Sequence, residues 1–209
     1  AELLSIVAVK DQQGKLQHYV GVFSDISMIK AHEADLNRIA HYDTLTSVPN
    51  RRLLSDRLEQ AIARARRHGS NLAVCYLDLD GFKPINDQFG HEGGDLLLIE
   101  IARRLQTMSR ADDTVARLGG DEFVLLWNDI GAESHCSHAL ERVLAEVSAP
   151  LVIDGISVSV SASIGVTLFP DDDVDADSLL RHADHAMYSA KQLGKNRFQM
   201  FDSRLELQI

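Results

Sequence analysis

Six residues without a charge, Leu72-Ala73-Val74-Cys75-Tyr76-Leu77, run straight into Asp78-Leu79-Asp80. A short apolar run rich in branched side chains predicts a strand covered on both faces. Carboxylates at the end of such a strand are costly unless they are hydrogen-bonded, paired or bound to metal. Two readings of Asp78 and Asp80 stand at this level: they cap the next helix, or they offer hard oxygen ligands. The rest of the chain has to supply layers on both sides of this strand.

The surrounding pattern does so. Helical periodicity spans Arg51 to His68, Gly94 to Met108, Ala132 to Val147 and Asp177 to Leu193. Between these lie a tight hairpin, Thr114 to Leu118 and Phe123 to Trp127 about Gly119-Gly120, then one or two strands within Ile156 to Phe169, and a last strand at Arg197 to Phe201. Such mixing predicts an α/β (α+β) fold with a mixed, largely antiparallel central sheet flanked by helices. Upstream, Leu4 to Val9 and Tyr19 to Phe23 read as two strands joined at Asp11-Gln12-Gln13-Gly14, followed by a connector helix over Lys30 to Ala40. A hairpin alone is marginal in water, so residues 1–29 are expected to be the tail of a larger domain.

The hairpin Gly119-Gly120 needs positive φ whatever its role. Its tip carries Asp121 and Glu122. If its strands neighbour the Asp78 strand, three or four carboxylates converge into a site suited to Mg²⁺. Two such ions can clamp a triphosphate and activate a hydroxyl for in-line attack.

The formal net charge of -10 argues against a nucleic-acid partner, which demands clustered Lys and Arg. An anionic ligand then needs a metal, a few placed cations or helix N-termini. Two cysteines, Cys75 and Cys136, suggest neither a disulfide framework nor a zinc cluster. No apolar run approaches a membrane span and no signal peptide is evident, so a cytoplasmic location is expected, with tethering through another part of a longer protein left open. No Gly-rich loop ending in Gly-Lys-Ser/Thr and no dinucleotide fingerprint is present.

Taken in order, His41-Tyr42-Asp43-Thr44-Leu45-Thr46, Pro49-Asn50-Arg51, Asp78-Leu79-Asp80, Phe82-Lys83, Asn86-Asp87, Gly90-His91, Gly94-Asp95, Arg117-Leu118-Gly119-Gly120-Asp121-Glu122-Phe123, Ser163-Ile164-Gly165, Ala183-Asp184, Ala186-Met187-Tyr188, Ala190-Lys191 and Gly194-Lys195-Asn196 resemble the GGDEF family of diguanylate cyclases. The resemblance covers 41–201 and implies the palm-like fold shared with class III nucleotide cyclases. It implies condensation of two GTP into cyclic di-GMP by a homodimer with two Mg²⁺ (or Mn²⁺) ions per site.

Residue by residue, it puts metal on Asp78, the Leu79 carbonyl and Asp121, with Glu122 assisting. It puts guanine and ribose on Asn86, His91 and Asp95, and phosphates on Phe82, Lys83, Gly119, Gly120, Lys191 and Lys195, Lys191 also serving catalysis. A carboxylate at Asp95 suits the N1–H and N2–H₂ edge of guanine and mismatches adenine, which disfavours an ATP-using cyclase of similar fold. Arg110 and Asp113, five residues before the hairpin, match the family's inhibitory product site. Arg forks to guanine O6 and N7, although an isolated Arg-x-x-Asp is usually a surface ion pair.

Two departures stand out: Ser47-Val48 where Gly-Leu is usual, and Lys195 where Arg is common, which keeps charge and loses bidentate geometry. The stretch ending Gly21-Val22-Phe23-Ser24-Asp25-Ile26-Ser27 resembles the last strands of a PAS domain. Phe201-Asp202-Ser203-Arg204-Leu205-Glu206 resembles the linker into an EAL phosphodiesterase domain, so 202–209 is expected to begin a linker. In such tandems the GGDEF part sometimes only binds GTP or cyclic di-GMP. The Asp171 to Asp177 run is expected to be a solvated turn, and His182 and His185 ordinary helix-surface residues.

Overall fold

The computed structural model describes residues 2–131 and 133–202. The chain divides into two compact units at residue 40. In the first, β1 (Glu2–Lys10) and β2 (Leu16–Asp25) form an antiparallel ribbon followed by α1 (Ser27–His41). Every residue of β2 is exposed, Phe23 and Tyr19 among them. Both strands run longer than the sequence suggested, because cross-strand pairing carries them past their apolar centres.

The second unit begins with α2 (Arg51–His68), whose ends are written locally. The Asn50 side chain accepts from the amides of Arg52 and Leu53, and Gly69 closes the helix at φ 64°. Then follow β3 (Leu72–Asp80), α3 (Phe82–Met108), β4 (Thr114–Gly119), β5 (Glu122–Asn128) and α4 (Glu133–Ser148). A side hairpin of β6 (Leu151–Ile153) and β7 (Ile156–Val158) precedes β8 (Ser161–Phe169), α5 (Ala176–Gln192) and β9 (Arg197–Met200). Ala132 and Ser203 to Glu206, which the expected helix start and linker included, lie outside the described residues.

The five-stranded sheet runs β4-β5-β3-β8-β9, antiparallel except for β8 with β9. This is the mixed, largely antiparallel sheet expected. β3 is central and covered twice. On one face Ala73, Cys75, Leu77 and Leu79 pack with α3 and α4 residues such as Leu97, Ile101 and Leu140. On the other Leu72, Val74 and Tyr76 pack with Leu54 and Leu58 of α2 and Leu179 and Met187 of α5. Period-2 alternation therefore puts Asp78 and Asp80 on the α2/α5 face.

Two sequence expectations change. Helix α3 starts at Phe82 instead of Gly94, with one break at Gly90 (φ 72°, ψ 178°). The glycines that read as a boundary permit close packing: a Cβ on Gly94 would collide with the Asn86 amide, and one on Gly93 with Phe89. His182 is not a free surface residue. Its Nδ1 lies 2.7 Å from Asp172 Oδ2, and its ring stacks on Phe201 at 4.1 Å between centroids. Asp172 also accepts from Thr167 Oγ1 at 2.8 Å, so this part of the acidic run turns inward. Asp175 caps α5 through the Ser178 amide.

Candidate active site

The register of β3 with β5 sets Asp78 opposite Glu122. Glu122 is the first residue of β5, and Gly120-Asp121 form the two-residue tip joining it to β4. Gly119 (φ 148°) and Gly120 (φ 50°) take up backbone angles that a side chain would strain. The Leu79 amide donates to the Asp121 carbonyl at 3.3 Å, tying the tip to the end of β3.

Arg117 fixes the tip from below. Its Nε and Nη2 donate to the Gly120 carbonyl at 3.0 and 2.8 Å, and its Nη1 to Asp43 Oδ1 at 2.9 Å. The same Asp43 oxygen accepts from the Thr46 amide and hydroxyl. Burial pushes the Asp43 carboxyl up, but the bonds from Thr46 and Arg117 prevail and hold it below its ordinary value. Sequence reasoning quoted Asp43 and Arg117 without a role; only the fold brings residues this far apart in the chain together.

Helix α5 supplies the cation. Lys191 Nζ lies 2.8 Å from Asp78 Oδ2. The helix can come this close because it crosses β8 at Gly165, where any Cβ would collide with the backbone of Ala183, Ala186 and Met187. Asp121 is raised above its ordinary value, first by burial and then by the charge of Asp78. Asp80 has a different task from its neighbour. It accepts from Ser161 Oγ and Ser163 Oγ at 2.9 Å each and from the Asn196 amide at 3.2 Å, joining β3 to β8 and the loop after α5. It thereby does not cap α3, the first of the two roles that the sequence left open.

The structure thus groups Asp78, Leu79, Asp121, Glu122 and Lys191. Phe82 and Asn86 both pack against Gly94, beside Asp95. Lys83, His91, Asp95 and Lys195 are exposed, Lys195 at φ 62° in the turn that closes α5. Arg110 and Asp113 lie at the opposite end of the β4–β5 hairpin from Asp121. There Asp113 accepts from the Arg110 amide (2.8 Å) and the Asn128 amide (3.2 Å), so its carboxylate shapes the turn and makes no ion pair with Arg110 among the described residues. Arg110, Asp113, Trp127, Asn128 and Arg142 line one solvent-open pocket. Arg142, on α4, carries no local sequence signal for this position.

The family model described as "Diguanylate cyclase, GGDEF domain" matches residues 40–197. The chain belongs to the GGDEF family. It is 47% identical over 171 residues to the bifunctional diguanylate cyclase/cyclic di-GMP phosphodiesterase MucR of Pseudomonas aeruginosa, matching 82% of this chain and 25% of that protein. The solved GGDEF domain of TpbB (YfiN) from Pseudomonas aeruginosa superposes with a TM-score of 0.76 at 38% identity, over 80% of this chain and 100% of that one. The coiled coil and GGDEF domain of DgcB from Caulobacter crescentus, solved in complex with c-di-GMP, gives a TM-score of 0.75 at 28% identity, over 84% and 93%. This chain spans about a quarter of the length of the first curated relatives it matches. No helix among the described residues is long and apolar enough to cross a membrane.

A GGDEF cyclase implies Mg²⁺, and the residues fit it in a particular way. Among the described residues, no group of three or more His, Cys, Asp or Glu side chains is arranged to hold a metal, so the three or four converging carboxylates expected do not form a cage. Asp78 and Asp121 instead crowd two carboxylates, with the Leu79 carbonyl adjoining. Mg²⁺ is typically held by one or two carboxylates together with substrate phosphates, and a cation would offset the burial and the charge of Asp78 that raise Asp121.

Proposed function

We propose that this GGDEF domain is a diguanylate cyclase that condenses two GTP into cyclic di-GMP and two pyrophosphates. The observation that carries the reading is the intact pairing of Asp78 with Glu122 across β3 and β5, with Asp121 at the hairpin tip and Lys191 2.8 Å from Asp78. Mg²⁺ or Mn²⁺ ions, two per site, would be held by Asp78, the Leu79 carbonyl and Asp121 with Glu122 assisting, and would supply charge stabilisation and an activated 3′-hydroxyl.

The chain's own part is positioning. Asn86, His91 and Asp95 take the guanine and ribose, while Phe82, Lys83, Gly119, Gly120 and Lys195 surround the phosphates. Lys191 offsets the charge of the carboxylates and then of the leaving pyrophosphate. In a homodimer each 3′-oxygen bonds to the other nucleotide's α-phosphorus as the bond to pyrophosphate breaks. Cyclic di-GMP then binds the Arg110–Asp113 pocket with Arg142 and slows turnover. Residues 1–29 fit the end of a PAS-like sensor, 30–40 a connector and 41–201 the catalytic domain, with a linker from 202 toward an EAL domain.

Purified protein with GTP and Mg²⁺, analysed by chromatography, tests this: Asp121→Ala should abolish cyclic di-GMP, and undiminished synthesis would sink the assignment. The bifunctional name of MucR favours a second reading, a GTP- or cyclic di-GMP-binding regulatory module beside a phosphodiesterase. Wild-type protein that binds GTP without turnover would select it.

A further inference from the structure

Tyr76 is the one phenol in the apolar run Leu72 to Leu77. It is 8% exposed and packs in the cluster between the sheet and helices α2 and α5. A purely packing role is served as well by leucine or phenylalanine, whereas a phenol in a core is costly unless its hydroxyl finds a partner. The partner is set by register. Asp78 opposes Glu122 and Tyr76 opposes Val124, so Tyr76 and Glu122 are diagonal neighbours on one face of two adjacent strands, a separation aromatic side chains span. That register places the Tyr76 phenol beside the Glu122 carboxylate, with Asp184 of α5 and Arg51 of α2 as the other charges near it.

We propose that Tyr76 is a positioning residue for Glu122, holding one carboxylate oxygen so that the other faces the divalent cation carried by the nucleotide. The inference rests on the cyclase reading of Glu122. The hydroxyl touches neither nucleotide nor cation; it acts through the carboxylate, as outer partners of metal ligands do when they fix a ligand's orientation.

Tyr76→Phe keeps the ring and its packing and removes only the donor. The readout is Mn²⁺ affinity, followed by electron paramagnetic resonance with a non-condensable GTP analogue present, alongside the Mg²⁺ dependence of turnover. Loss of such a partner costs about 10-fold in metal affinity. The expected result is that loss for Tyr76→Phe, with the KM for GTP unchanged at saturating Mg²⁺ and thermal unfolding close to wild type. Glu122→Gln should abolish the effect, so the double variant binds Mn²⁺ no more weakly than Glu122→Gln alone. Wild-type Mn²⁺ affinity in Tyr76→Phe, or losses that add in the double variant, would overturn the positioning role alone. Absence of Mn²⁺–nucleotide binding by the wild type would overturn the cyclase reading and this proposal with it.

Discussion

Replacing Gly165 by alanine tests how the site is built. The added methyl would meet the Ala183 carbonyl oxygen, the Met187 nitrogen and the Ala186 carbonyl carbon, all backbone atoms of α5. No side chain can swing away, so the helix must withdraw by more than about 1 Å to restore van der Waals separation. Forced overpacking of this kind costs roughly 2–3 kcal/mol. For a domain of this size that lowers Tm by about 4–12 °C. The same movement carries Lys191 away from Asp78, now 2.8 Å distant. A displacement near 1 Å in a catalytic arrangement costs on the order of 10²-fold in rate. Calorimetry gives the first number, and cyclic di-GMP production at a temperature where the variant is folded gives the second. A Tm within about 1 °C of wild type together with full turnover would refute the reasoning that Gly165 sets the position of α5.

Three further outcomes follow from named contacts. Asp121→Asn should abolish product yet raise Tm slightly in nucleotide-free protein. The folded carboxyl is raised above 3.8 by burial and by Asp78, so the folded state loses stability as pH rises through that window. The variant's advantage is therefore absent near pH 3 and full at neutral pH, below about 1 kcal/mol because the side chain is only half-buried; equal or lower stability at pH 7 would contradict it. Arg104 is 6% exposed and donates to the Glu146, Ala149 and Pro150 carbonyls and to Glu100. Arg104→Ala strands these acceptors and should cost about 3 kcal/mol in chemical denaturation. Arg110→Ala should leave initial turnover intact and raise the cyclic di-GMP concentration for half-inhibition by at least about 10-fold, the worth of one charge-assisted recognition contact.

What was legible in the sequence was chemistry close along the chain. Helix α2 reads at its observed bounds, Arg51 to His68, and the caps that fix those bounds, Asn50 and Gly69, are the residues next to its two ends. The strand that ends at Asp78 and the hairpin that presents Asp121 and Glu122 follow from apolar runs and paired glycines. What stayed hidden depends on distant partners. Gly94 read as the start of a helix, yet it and Gly93 lie within one, where Asn86 and Phe89 close against them. His182 read as surface until Asp172 and Phe201 met it. Arg142 and the Asp43–Arg117 clamp need the folded sheet to bring them to their sites, and no spacing rule announces them.

The central claim concerns a site completed by two copies of the domain. The most direct measurement is the initial rate of cyclic di-GMP formation from GTP and Mg²⁺ as a function of protein concentration. A dimeric cyclase predicts a rate that rises more steeply than linearly until dimers saturate. A rate strictly proportional to concentration throughout, or no product from GTP at any concentration, would contradict the account.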